Sequence, residues 1–307
     1  MSNHRSKLKR PKPGDKDYKE PPNIKLQPRD IRIIDRVYKN RLMSSRQLYA
    51  LIDGSRSKLK RRLQKLWLNK YLERPPDQEV LRVRGDLRYL IYSLGQKGAE
   101  VLAAEKGYDI AKLNWVQRSK IKFPFIIHNL FVSELFTCLK LTLRNKGGIE
   151  LTDWRQGKEI EARIRRPSYM YERESRSDKP LLQPDGLSSL HYSPEDQTQY
   201  FYLEADRGTI REKTMLGRYK KYWAYWQQRG FKEQGIPVDQ GFRVLTVSKN
   251  ETRAQNLRQL IEDNKPWNGN TTMFWFTHKQ WSIENPEPIL SKCWKTPKGE
   301  DTHSLLD

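Results

Sequence analysis

Cysteine is nearly missing from this 307-residue chain, which holds only Cys138 and Cys293. Two isolated thiols supply neither a disulfide framework nor a Cys-x-x-Cys zinc site. Also absent are the phosphate-cradling Gly-x-x-x-x-Gly-Lys-Ser/Thr loop, the Gly-x-Ser-x-Gly nucleophile turn and the His-x-His pair of a metal-and-tyrosine relaxase, so ATPase and serine-hydrolase readings have no support. No run approaches the roughly 20 uninterrupted apolar residues of a bilayer span, and no apolar segment follows the basic residues 1–10 as in a signal peptide. The expectation is a cytoplasmic protein with no membrane partner. Acid is the remaining scarcity: 37 Asp plus Glu stand against 59 Lys plus Arg, a net charge of +22. Such a surface favours a polyanion.

The charge is uneven. Residues 1–75 carry 22 basic and 7 acidic side chains and so supply +15 of the +22. Residues 1–27, rich in proline and with little to bury, read as a disordered basic arm. Residues 28–107 read as a small folded module: helices over 30–41, 44–52 and 55–73, strands over 80–84 and 87–92 joined by Gly85-Asp86, and a closing helix over 95–106. Ser44-Ser45-Arg46-Gln47 fits a capping box at the second helix. Three helices and a hairpin predict a winged helix. In its third helix Leu59, Leu63 and Leu66 recur at core spacing. Arg56, Lys58, Lys60, Arg61, Arg62 and Lys65 supply phosphate-binding candidates beside them, with Arg82 and Arg84 on the hairpin. The alternative is a generic helical domain with a solvated basic face.

After a linker over 108–120, residues 121–294 read as a second domain, with 295–307 as a flexible tail. A long helix spans 123–144 and carries His128 and Glu134. Strands are expected over 149–153, 160–164, 200–206, 242–247 and 273–276, with the Asp185 turn carried by 181–190 and helices over 209–228 and 251–263. The informative run is Tyr200-Phe201-Tyr202-Leu203-Glu204-Ala205-Asp206, preceded by Pro184-Asp185-Gly186. Strand alternation puts Glu204 and Asp206 on one face. If Asp185 ends the preceding strand, three hard oxygen ligands converge where Mg²⁺ or Mn²⁺ could activate water against a phosphodiester. The plainer reading is an Asp-Gly turn and a solvated strand end.

Helix, strands bearing Asp and then Glu-x-(Lys or equivalent), helix and strand is the order of the PD-(D/E)XK restriction-endonuclease-like fold, which residues 121–280 resemble. A winged helix, Pro184-Asp185-Gly186 and Phe201-Tyr202-Leu203-Glu204-Ala205-Asp206-Arg207-Gly208-Thr209, with Tyr219 in the next helix, resemble the replication-relaxation family of mobile-element proteins. The fold class implied is α+β or α/β, a winged helix followed by a central mixed sheet flanked by helices. The implied role is replication or mobilisation of a plasmid, phage or related element. Asp206 departs from the nuclease pattern, which has Lys there to position water and offset phosphate charge. Lys213, Lys220 or Lys221 on the following helix are the candidate replacements.

Two functions stand against each other. One is a metal-dependent DNA endonuclease or nickase using Asp185, Glu204 and Asp206 as ligands, Lys213 as cation, and His128 and Glu134 as secondary candidates. Arg207, Arg218, Lys220 and Lys221 would contact phosphate, and Tyr219, Tyr222, Trp223 and Trp226 would stack on unpaired bases. The other is a non-catalytic replication or transcription regulator that retains the nuclease-like fold. A third reading gives the aromatic C-terminal half, with Trp267, Trp275, Trp281 and Trp294, to recruitment of replication or transfer proteins.

Overall fold

Apolar spacing builds the N-terminal half of the computed structural model. Ile33, Ile34 and Val37 recur on one side of α1 (Pro28–Lys39) and are fully buried. A short strand, β1 (Leu42–Ser44), leads into α2 (Ser45–Leu51). The expected capping box opens α2: Ser44 Oγ accepts from the Gln47 amide at 3.3 Å, and Gln47 Oε1 accepts from the Ser44 amide at 2.7 Å. In α3 (Arg56–Leu68), Leu59, Leu63 and Leu66 face the core. β2 (Leu72–Glu73) and β3 (Ile91–Leu94) complete an antiparallel sheet of order β1-β3-β2, and α4 (Gln96–Lys106) closes the unit. Glycine is required at position 98, because a Cβ there would meet the Tyr71 carbonyl at 2.2 Å where α4 docks.

The structure describes residues 21, 23–78, 88–110, 113, 121–170, 179–264 and 271–306. The Gly85-Asp86 hairpin turn, Arg82, Arg84 and Trp267 lie outside these, as do residues 1–20 of the arm.

α5 (Phe123–Arg144) is the hub of the second half. By length and composition it could cross a bilayer, yet 61% of its most apolar window is buried inside the protein. Its Ser133 hydroxyl donates to the Leu42 carbonyl at 2.5 Å, and Gln47 Nε2 donates to the Leu130 carbonyl at 3.2 Å, which ties α5 to the N-terminal unit. One continuous apolar cluster accordingly joins Ile33, Leu63 and Tyr92 to Phe136, Leu203 and Trp275.

Beyond α5 come β4 (Ile149–Arg155), a two-stranded ribbon of β5 (Ala162–Arg163) and β6 (Leu181–Leu182), β7 (Gly186–Tyr192) and β8 (Gln197–Asp206). Then follow α6 (Glu212–Gln227), β9 (Arg243–Ser248), α7 (Glu251–Glu262), β10 (Phe274–His278), β11 (Trp294–Lys295) and β12 (Thr302–His303). The main sheet has seven strands in the order β12-β11-β10-β9-β8-β7-β4. β4, β7 and β8 are successively antiparallel, whereas β8, β9 and β10 are parallel and connected through α6 and α7. The described residues thus form seven helices around a large mixed sheet, an α+β fold.

Two expectations change. The strand at 160–164 shrinks to β5 and pairs with β6 rather than the main sheet. The C-terminal residues do not fray: β12 pairs with β11, Leu305 is buried, and the Tyr192 hydroxyl donates to the Leu305 carbonyl.

Candidate functional site

β8 carries the two faces of the sheet in alternate residues. Phe201, Leu203 and Ala205 pack on the α5 side, and Tyr202 packs with Tyr219, Tyr222 and Leu257 beneath α6 and α7. Glu204 and Asp206 continue the second set, so the acidic end of the strand points under two helices and is 1% exposed at each residue. Each helix answers with an arginine. Glu204 accepts from Arg218 of α6 at 2.6 Å and from the Tyr222 hydroxyl at 2.7 Å, one donor to each oxygen. Asp206 accepts from Arg253 Nε of α7 at 2.7 Å and from the Gly208 amide at 3.1 Å, again one to each oxygen.

Asp185 stands just before β7, where its main chain extends the ladder to Leu203. One carboxylate oxygen accepts from the Ala205 amide at 2.8 Å, and the other accepts from His128 Nε2 of α5 at 2.9 Å, with the ring proton on that nitrogen. Burial opposes a charged His128, but the Asp185 hydrogen bond and the carboxylates of Asp185 and Glu204 outweigh it, and the ring's pKa is raised. Burial first, and the Asp185 charge second, push the Glu204 carboxyl upward, while Arg218 and Tyr222 pull it back. Arg41 also stands near this group. Burial lowers its pKa against the charges of Glu161 and Asp185, its guanidinium lies 4.7 Å from the Phe125 ring centroid, and its buried Nε has no hydrogen-bond partner.

The expected ligand set is therefore split. Asp185 and Glu204 are electrostatic neighbours, but Asp206 belongs to a separate ion pair. Among the described residues no group of three or more His, Cys, Asp or Glu side chains could hold a metal ion. All six carboxylate oxygens of Asp185, Glu204 and Asp206 accept from protein donors. The expected three-carboxylate ligand set is not assembled.

Several other expected residues are placed elsewhere. Glu134 pairs with Lys279 at 2.6 Å, apart from the carboxylates. Lys213 lies exposed in the first turn of α6, and the cation that bonds Glu204 is Arg218. Lys220 is buried, and Lys221 donates to the Leu181 carbonyl at 3.0 Å, with its pKa lowered by burial. Arg207 is half-buried in the turn after β8. Tyr219, Tyr222 and Trp223 are core residues rather than stacking platforms; Trp226 is 36% exposed and stacks on Trp223.

On α3 the candidates separate. Arg56, Lys58, Lys60 and Arg61 are exposed and Lys65 is half-buried. Arg62 turns inward: its Nε donates at 2.6 Å to Asp30, which is fully buried, and its terminal nitrogen donates to the Lys25 carbonyl at 2.6 Å. It acts as a clamp between α1 and α3.

Acidic β8, the aromatic α6 after it and the helical N-terminal unit from the middle of α1 onward fall within one family match. The model described as replication-relaxation covers residues 34–238. The chain belongs to the replication-relaxation family. Membership associates it with replication or mobilisation of mobile elements. No curated protein and no solved structure matches this family member. The matched region of this replication-relaxation chain includes His128, Asp185, Glu204 and Arg218 but ends before Arg253. Sequence reasoning missed Arg41 and Arg253, and read Arg218 as a phosphate-binding cation rather than as the partner of Glu204. Only Arg218 had a local signal, since it lies one helical turn before Tyr222 on the face of α6 that meets β8.

Proposed function

We propose that the protein is a DNA-binding factor of mobile-element replication or mobilisation that does not itself cut DNA. The separation of the three expected ligands carries this reading: Asp206 is held in its own ion pair with Arg253, and no group of three or more His, Cys, Asp or Glu side chains among the described residues could hold a metal ion. A metal-dependent nuclease needs several oxygens converging on one ion, and drawing Glu204 onto a metal would take its carboxylate from the half-buried Arg218.

Three helices with the small β1-β3-β2 sheet support a winged-helix assignment for the N-terminal unit. There α3 is the element presented to DNA, through Arg56, Lys58, Lys60 and Arg61. The succession α5, β4, β7, β8, α6, β9 supports a nuclease-like ancestry for the second half. Under this reading the carboxylates hold that fold together.

The second reading, a Mg²⁺- or Mn²⁺-dependent nickase, draws on one observation: Asp185 and Glu204 are near enough to interact, with Arg218 supplying the cation that the pattern expects at position 206. Supercoiled plasmid carrying the element's origin separates the two. We expect salt-sensitive binding with either metal and no nicking. Replacing Arg56, Lys58, Lys60 and Arg61 with Gln should weaken binding and flatten the salt dependence by about 0.9 in slope for each phosphate that is no longer neutralised. Nicking by the wild type that disappears in D185A and E204A establishes the nickase instead, and unchanged binding by the α3 variant removes that helix from the interface.

A further inference from the structure

A cavity of about 530 Å³ opens between α1 and β4, the edge strand of the main sheet, and none of the carboxylates discussed above as a metal site lines it. Its walls carry five cations and three carboxylates. Two of the carboxylates have cation partners and the third accepts from a hydroxyl. Asp35 pairs with Lys39 at 3.5 Å and accepts from the Tyr108 hydroxyl at 3.2 Å. Asp153 pairs with Arg155 at 2.7 Å, and Glu159 accepts from the Tyr38 hydroxyl at 2.9 Å.

Arg32, Arg36 and Lys140 are left without a carboxylate partner at ion-pair distance among the described residues. Arg36 places its guanidinium 5.4 Å from the Phe136 ring centroid. Lys140 commits one hydrogen to the Leu151 carbonyl at 2.9 Å and keeps two for a ligand. Burial lowers the pKa of Arg36 and pushes Lys140 down to about 8, with Arg36's charge the next cause for Lys140. Two crowded cations in a partly dry cavity are stabilised by an anion between them.

Two further observations define the rest of that anion. Trp154, only 6% exposed, lines the same cavity, and its buried Nε1–H has no acceptor. Buried indole N–H groups ordinarily find a partner. Tyr38 and Tyr108, both half-buried, bring their rings to 5.4 Å and add aromatic surface at the mouth. A bare phosphate leaves most of the space empty, whereas the volume lies within the range of about 300–1,000 Å³ typical of small-molecule sites.

We infer that this cavity binds a nucleoside phosphate, with Arg36 and Lys140 holding the phosphate, Trp154 donating to a sugar or base acceptor, and the tyrosines lying against the base. The chemistry is shared by a free nucleotide and by the phosphorylated end of a DNA strand. The site goes beyond the α3 interface and does not depend on it. Because it joins α1 to the sheet edge, its ligand braces the two halves of the molecule against each other.

Titration of the full chain with dATP, inorganic phosphate and a short 5′-phosphorylated oligo-dT tests this, read by calorimetry and by thermal midpoint. Saturable dATP binding with a raised midpoint is expected. R36M and K140M should each lose roughly tenfold or more in affinity, as expected for charge-assisted hydrogen bonds. W154F removes the donor together with the five-membered ring, so it should lose several-fold in affinity, read against its own ligand-free thermal midpoint, and it keeps the test decisive if R36M fails to fold. The α3 glutamine variant should bind dATP like the wild type, which separates this site from the DNA interface. Competition by the phosphorylated oligonucleotide assigns the site to a strand end, and no competition assigns it to free nucleotide. The inference is overturned if neither probe saturates, if phosphate binds as tightly as dATP, or if W154F binds unchanged.

Discussion

Replacing Arg218 with Met should destabilise the protein more at pH 8 than at pH 5. Glu204 is 1% exposed and has two donors, Arg218 and Tyr222, with the Asp185 charge nearby. R218M preserves most of the side-chain volume but leaves a buried carboxylate on one hydroxyl. Breaking a buried pair in this way costs about 3–5 kcal/mol when both partners are dry. Arg218 is 32% exposed, so water already screens part of the pair and about 2–3 kcal/mol is the better expectation. At about 2–4 °C per kcal/mol for a large domain, the thermal midpoint should fall by roughly 4–12 °C. Protonation removes the unpaired charge, and loss of Arg218 moves the Glu204 pKa further upward, so much of the deficit should vanish at pH 5. E204Q leaves only a partly hydrated arginine unpaired and should be milder than R218M at pH 8. Equal destabilisation by R218M at both pH values, or a larger effect of E204Q, refutes the reasoning. Urea midpoints at constant m give the check.

The wild type should itself lose stability across neutrality. The Glu204 and His128 pKa values are both raised on folding, so each stabilising contribution is complete below the ordinary value and disappears as pH rises through the folded one. For Glu204 that window runs from about 4.5 to about 7, and for His128 it lies above 6.5. Thermal midpoints should therefore decline from pH 5 to pH 8, with a shallower decline in E204Q/H128N; an unchanged slope in that double variant removes these groups as its source. G98A should destabilise by about 1–3 kcal/mol or more, because its methyl meets the Tyr71 carbonyl at 2.2 Å and backbone must move. A denaturation midpoint equal to wild type shows that α4 can shift without loss.

The centre of the fold was legible because its signals are local. Alternation in β8 placed Glu204 and Asp206 on one face, helical spacing in α3 and α5 marked core sides, and Ser44 with Gln47 marked a cap. The destination of those faces was not legible. The same alternation that put two acids together also put them under α6 and α7, and a strand pattern does not say whether its polar end meets solvent or a helix. Arg253 answers Asp206 from 47 residues away, and Arg62 answers Asp30 across 32. Neither pairing has a periodic signature. The aromatic residues of α6 were ambiguous for a related reason, since rings at helical spacing serve a core and a stacking surface equally well. The C-terminal strand escaped notice because β11 and β12 are two residues each and only a few buried groups, such as Trp294 and Leu305, hold that segment.

Asp206 is then better understood together with Arg253 than as a lone departure from a nuclease pattern. Arg253 donates to Asp206 at 2.7 Å, to Glu212 at 3.2 Å and to the Ile210 carbonyl at 2.6 Å, so one guanidinium joins the end of β8, the turn after it, the first turn of α6 and the start of α7. A lysine at position 206 would bring a second cation against that half-buried arginine. Placing lysine there by D206K alone should therefore destabilise by about 1–3 kcal/mol, less than the roughly 3–5 kcal/mol of a dry unpaired charge because Arg253 keeps Glu212. Adding R253E supplies an opposite charge to the new lysine and should recover a substantial part of the loss, with the coupling measured by a double-mutant cycle. Additive losses would show that the two positions are independent. Strong coupling means that a lysine at position 206 and Arg253 exclude each other in this fold.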